Sequence, residues 1–287
     1  VASDIGKPLG SQRAAVVEVN AGPGLLSHLK PAQGKPRPVG RAIVDHLFPE
    51  GDDGRIDIVG VAGGGDTLAL TRLLAWLLQL GGHHVGLACR QGLFLDGRQV
   101  EPGDATQVEL AQHLLMNREV DMAVFENGAA TILDEGLAYD RCRIGVVTDL
   151  LGAPMLARHD ITEADQLPRV LRTQMDVVLA SGTGVLNADE PAVAALAEHC
   201  DGAVMLYATE PEPLATHLAG GGRAVLLRGA TLVLCDGHAE KVLTPHKPAL
   251  PPPAVLLPAV AAGWAAGLAP ALLAAGIDTF ADLDETI

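Results

Sequence analysis

The stretch IVGVAGGGDTLALTRLLAWLLQLGG, residues 58–82, decides how the chain is read. A short apolar run rich in Val and Ile, closed by glycine, suits a strand buried on both faces. Three glycines then let the backbone turn, and leucines at helical spacing predict a helix from Thr67 to Leu80. Strand, glycine-rich turn and helix together make the architecture of a phosphate cradle, in which loop N–H groups face an anion. A working cradle also needs a lysine on the phosphates and a Ser/Thr hydroxyl for Mg²⁺. Here the lysine position holds Thr67, the next residue is Leu68, and Asp66 sits in the turn. Like charges ~4 Å apart repel by a few kcal/mol at an effective dielectric of ~20. The stretch therefore poses a choice between a nucleotide site, the remains of one, and an ordinary strand–turn–helix.

Outward from it the pattern is regular. Short Val-rich apolar runs alternate with helical ones. HHVGLAC (83–89), VDMAVFEN (120–127), RIGVVTD (143–149), TGVLNAD (183–189) and GAVMLYAT (202–209) read as strands. QVELAQHLLMN (107–117), QLPRVLRTQMDVVL (166–179) and PAVAALAEHC (191–200) read as helices. This alternation predicts an α/β fold with a mostly parallel sheet covered by helices on both faces. AVLLRGATLVLCDG (224–237) adds a hairpin or two antiparallel strands. Residues 1–50 look different: a strand at 14–20, a proline-rich linker, and a short helix at 39–47. Asp52-Asp53-Gly54 marks a domain boundary. Three segments result: 1–50, an α/β domain at 51–247, and an apolar helical tail at 248–287.

Composition narrows the function classes. Lys+Arg number 20 against 35 Asp+Glu, a net charge of −15, which argues against a nucleic-acid or anionic-membrane surface. Hydrophobic residues make up 48% and charged ones 19%, enough for a sizeable core. The four cysteines stand far apart without a C-x-x-C pair, so no disulfide framework is expected and a reducing cytoplasm fits best. Cys235-Asp-Gly-His238 reads as a turn rather than half of a metal site. The uncharged run 254–277 is alanine-rich, has Pro258 and Pro270 inside it, and has no basic anchors. A buried helix or two short ones is expected there, not a membrane span.

In an open parallel sheet, ligands sit at the carboxyl ends of the strands. Four such ends carry suggestive residues: Gly63-Gly64-Gly65, Glu126-Asn127, Asp149, and Asn187-Ala188-Asp189. Glu126 suits a metal ligand beside phosphate, although a lone acid at a strand end is more often only solvated. Asp189 followed by Pro191 has an ordinary reading as a helix cap with Pro in the first turn.

Several of these runs resemble one family. VVEVNAGPG (16–24) is similar to the last strand of the ATP-grasp domain of the cyanophycin synthetase family. The chain from Ile56 onward is similar to that family's Mur-ligase-like module, most specifically at GLAYDRCRIGVV (136–147) and GVLNADEP (184–191). VEPGDATQ (100–107) and VFENGAATIL (124–133) resemble it in altered form.

The resemblance implies ATP- and Mg²⁺-dependent ligation. A carboxylate is activated as an acyl phosphate, and an amine displaces the phosphate to build an Asp/Arg polymer. Such chemistry depends chiefly on clamping charge around the transferred phosphoryl group. It also implies Glu18, Asn20 and Glu126 as Mg²⁺ ligands, and Asn187 and Asp189 beside the nucleotide's base and ribose.

The family's phosphate loop, T-G-T-N-G-K-T-T, is here AGGGDTLA (62–69), so only Gly63 matches in role. An Arg-Gly-Gly run has become Ala129, Ala130 and Thr131. A following Asn and Asp-His pair have become Asp149, Ala153 and Pro154. The helical lysine is Leu171, beside Arg172. The opening of the late helix is replaced by LPPPAVLLPA (250–259), and the terminal lobe expected to close over the substrates is not seen.

Three readings follow. The leading one is a cyanophycin synthetase-like protein whose Mur-like module is a pseudoenzyme scaffold, with Gly63, Gly64, Gly65, Asn187 and Asp189 as vestiges of a nucleotide site. It is expected to be a homo-oligomer that holds Asp/Arg polymer or peptide. The second is an active amide ligase with an atypical nucleotide site. The third is a binding or oligomerisation module, with Gly263 and Gly267 in the tail as a helix-packing interface.

Overall fold

The computed structural model describes residues 4, 6–16, 22, 24–49, 54–245 and 250–280. They fall into two compact units, Val1–Arg55 and Ile56–Ile287. In the first, a 3₁₀ turn at Leu9–Ser11 is followed by helices α1 (Leu26–Leu29) and α2 (Val39–Leu47). Ala14–Val16 forms no strand, and the rest of the strand expected at 14–20, with Glu18 and Asn20, lies outside the described residues. So do Asp52 and Asp53.

The second unit is built on β1 (Asp57–Ala62), which leads through the glycine turn into α3 (Thr67–Leu80). There follow β2 (Val85–Cys89), β3 (Gly92–Leu95), β4 (Arg98–Pro102), α4 (Val108–Leu115), β5 (Met122–Asn127) and α5 (Ala129–Asp134). Then come β6 (Cys142–Val147), α6 (Pro168–Asp176), β7 (Val178–Asn187), α7 (Pro191–Ala194), β8 (Ala203–Ala208) and α8 (Ala215–Ala219). The hairpin strands β9 (Arg223–Arg228), β10 (Thr231–Asp236) and β11 (Ala239–Pro245) precede α9 (Pro253–Ala265) and α10 (Pro270–Thr279).

The strands form one 11-stranded sheet in the order β11-β10-β9-β8-β7-β6-β1-β5-β2-β3-β4. From β2 to β9 neighbouring strands pair in parallel. An antiparallel hairpin extends each edge. β1 lies between β5 and β6, with β2 beyond β5, so the chain order reverses beside it; that is where an open α/β sheet leaves a crevice at its carboxyl edge.

Strand periodicity separates two cores. On β1, Val59 and Val61 pack with α3, α9 and α10, while Ile58 and Ala62 belong to the cluster on the opposite face. α9 covers the sheet from β6 to β9 and packs on α3. Val255, Leu256, Leu257 and Val260 are all buried, each contributing about 1.5–3 kcal/mol. The apolar run of the tail is thus two helices, separated at Gly267 (φ 93°) and each opened by a proline at its first position, Pro253 and Pro270, while Pro258 lies inside α9 without ending it. Gly263 meets Leu273, Leu268 and Leu77 inside this layer, so its small size serves packing within the unit. No helix of the described residues is long and apolar enough to cross a membrane.

Two local readings change. The helix expected over 166–179 stops at Asp176, and Val178 begins β7 opposite Cys142 of β6. A β-branched pair at a helix end goes to the sheet once a partner strand is available. The β3–β4 hairpin was not read from the sequence, although Asp96 (φ 47°) and Gly97 (φ 78°) form the Asp-Gly turn that favours one.

Candidate functional site

The carboxyl ends of β1, β2, β5, β6 and β7 bring most of the expected residues to one edge. Gly63, Gly64 and Gly65 leave β1 and reach Asp66, the N-cap of α3, whose side chain accepts from the Ala69 N–H at 3.1 Å. An acid there satisfies one orphan donor of the first helical turn.

The loop amides are turned toward Asp149, just beyond β6. Gly64 N–H donates to Asp149 Oδ1 at 2.9 Å and Gly65 N–H to Oδ2 at 3.1 Å. Leu151 N–H (3.0 Å) and the Thr148 hydroxyl (2.7 Å) donate to the same carboxylate. The glycines make this contact possible. A Cβ at Gly63 would stand 2.0 Å from Thr148 Oγ1, and one at Gly64 would stand 2.1 Å from the Leu151 carbonyl oxygen. None of the three glycines has a positive φ, so close approach of the 148–151 segment, and not left-handed backbone, is what requires them.

Glu126 ends β5 and is 4% exposed, buried rather than solvated. Its Oε1 accepts from the Thr67 hydroxyl at 2.7 Å and from Arg90 Nε at 2.8 Å. Its Oε2 accepts from the Arg90 backbone N–H at 2.9 Å. Arg90 Nη2 also reaches Thr67 Oγ1 at 2.9 Å. A buried carboxylate persists when paired and hydrogen-bonded in this way. Sequence reasoning missed Arg90. The signal available was a guanidinium immediately beyond a parallel strand, two strands from the glycine turn.

Asn187 and Asp189 hold the next strand end. Asn187 Nδ2 donates to the Thr148 carbonyl at 3.0 Å, and its Oδ1 accepts from Asp189 N–H at 3.0 Å. Asp189 accepts from the Thr209 N–H and hydroxyl, both at 2.8 Å. The cap of α7 is Glu190, without a side-chain bond, so Asp189 ties β7 to β8 instead of capping the helix; Pro191 does occupy the first turn.

Between these parts lies a pocket of ≈ 190 Å³ lined by Gly65, Asp66, Asp149, Asn187, Glu190 and Tyr207 among others. Three of these carry carboxylates and none of the lining residues is Lys or Arg. Burial, then the charge of Asp149, pushes the Glu190 carboxyl above its usual value, opposed by a backbone bond from Leu150. Behind the loop, Asn127 Nδ2 donates to Tyr139 Oη and Gln174 Oε1, both at 2.7 Å, under Gly60. Burial raises the Tyr139 hydroxyl well above its ordinary value and the Cys142 thiol to about 12, so both stay protonated near neutrality. All four cysteines are free. Among the described residues no three His, Cys, Asp or Glu side chains group as a metal site.

No family model matches the chain. A cyanophycin synthetase of Synechocystis sp. is 34% identical over 290 residues, 98% of this chain and 33% of that protein. The cyanophycin synthetase of Crocosphaera subtropica is 35% identical over 240 residues, 83% of this chain and 27% of its own length. The chain thus spans about a third of the length of the curated relatives it matches.

Among solved structures, a UDP-N-acetylmuramoyl-L-alanyl-D-glutamate–2,6-diaminopimelate ligase aligns with a TM-score of 0.59 at 14% identity, over 84% of this chain and 49% of that one. E. coli FolC, solved with DHPP and ADP, aligns with a TM-score of 0.55 at 14% identity, over 79% of this chain and 57% of its own. At such identities these two likenesses speak for the fold alone. Over nearly its whole length, then, this chain is a homologue of the cyanophycin synthetases, and its larger unit has the α/β fold of the Mur ligases and FolC.

Proposed function

We propose that the chain is part of a cyanophycin synthetase-like protein in which the Mur-like unit is a non-catalytic scaffold. The observation that carries this reading is the Asp149 carboxylate seated on the Gly64 and Gly65 amides, in a pocket lined by acids and by no Lys or Arg. ATP–Mg²⁺ brings several negative charges and requires cations and free N–H donors around them. The residues present do not fit that group: the donors are engaged, the nearby side chains repel it, and Glu126 is already paired with Arg90. No ligation step is therefore assigned to this unit. ATP and Mg²⁺ remain the cofactors of the lineage, used elsewhere in the protein; Glu18 and Asn20 are the candidate metal ligands of an ATP-grasp active site. The scaffold supports that module in a cytoplasmic homo-oligomer, or holds Asp/Arg polymer or peptide for it.

Isothermal titration of the chain with ATP–Mg²⁺ tests the reading. No heat of binding is expected with the nucleotide in the micromolar range. Micromolar binding would overturn it. So would ATP turnover with Asp- or Arg-containing peptides that is lost in Glu126→Gln, because the rival reading of an active ligase requires that carboxylate.

A further inference from the structure

We infer that the site is kept shut by two of its own side chains, Asp149 acting as a tethered anion and Arg90 as a tethered cation. The inference rests on the reading above and names what closes the site. Asp149 receives four donors, from Gly64, Gly65, Leu151 and Thr148, which uses essentially all the acceptor capacity of one carboxylate. The donors at that position are those an incoming phosphoryl oxygen would need. On the other side, Arg90 spans Glu126 and Thr67, the two oxygen groups that converge beside the loop. A cation seated there would meet a carboxylate and a hydroxyl, a suitable hard-oxygen pair for Mg²⁺ or Mn²⁺. The guanidinium holds that position instead.

Both occupants are covalently part of the chain. Their effective concentration at the site is on the order of millimolar or higher, so a free ion competes poorly with either. The glycines fit this account as well. Their lack of Cβ lets the 148–151 segment press against the loop and deliver the carboxylate.

Removing each tether should open its own position. Melting temperatures of the full chain would be read with and without inorganic pyrophosphate, and with and without Mn²⁺. The wild-type chain should respond to neither at millimolar concentration. Asp149→Ala should gain a pyrophosphate-dependent rise equivalent to at least about a tenfold tightening over wild type. Asp149→Asn keeps one acceptor for the loop while cancelling the charge. It should show a smaller gain, and it carries the test if the alanine variant does not fold.

Arg90→Met should gain a rise with Mn²⁺, and the added change Glu126→Gln should abolish it. Wild type binding pyrophosphate or ATP–Mg²⁺ overturns both the scaffold reading and this inference. Wild type binding nothing, with no variant gaining a response, leaves the scaffold reading standing and overturns the inference. A gain in one arm alone removes the other residue from it.

Discussion

At the scale of single residues, charge and space around β1 decide what the crevice can hold. Gly60 is the tightest point. A Cβ there would stand 1.8 Å from Tyr139 Oη and about 2.5 Å from the Gln174 amide. Gly60→Ala should cost about 1–3 kcal/mol in a urea unfolding curve, the usual penalty for overpacking. Tyr139→Phe should recover part of that loss in the double variant; strict additivity of the two would contradict the contact.

Glu190 offers a pH test. Burial and Asp149 disfavour its charged form, so the folded chain keeps this proton to higher pH than the unfolded chain does. In that window the unfolded state binds fewer protons, and stability from this group falls as pH rises through and above its usual 4.5. Glu190→Gln should flatten that decline in denaturant midpoints taken between about pH 4 and pH 7. A steeper decline in the variant would show the sign to be wrong. The glycines and Asp66 were visible as residues in the sequence, but their roles were not. A turn read as a cradle holds an internal carboxylate, and an acid read as a repulsive charge also caps α3.

At the scale of elements, the core of the fold was legible. The helix expected at 67–80 is α3, and the helix expected at 39–47 is α2. The short apolar runs read as strands emerged as β1, β2, β5, β6 and β8 because their period and length admit few alternatives. The tail is where element-level reasoning reaches its limit. An all-apolar helix is buried, but the sequence does not say against what. In the structure α9 covers β6–β9 and α3, so shortening the chain before Pro253 should strip the sheet of a layer. The shortened chain should bind a hydrophobic dye and precipitate, whatever the native oligomeric state. The gentler change Leu256→Ala should cost about 2–5 kcal/mol while leaving the mass measured by light scattering unchanged. A change in mass with little loss of stability would place that side chain at an interface between copies.

At the scale of the whole molecule, two units divide between Arg55 and Ile56, and the larger carries the continuous sheet and both cores. A fragment beginning at Ile56 should therefore keep a single cooperative thermal transition and the far-UV circular dichroism of an α/β protein. Loss of cooperativity would mean that the first unit completes the fold. The alternation of apolar periods, the glycine turn and the excess of acids are properties of the chain read in order. They were enough for the fold class and for a site without a lysine, because periodicity and charge are local. The pairing of Asp149 with amides 84 and 85 positions away, and of Arg90 with Glu126 across 36, was not readable. Those contacts exist only because the strand order places β6 and β2 on either side of β1 and β5, and strand order is settled by packing over the entire sheet.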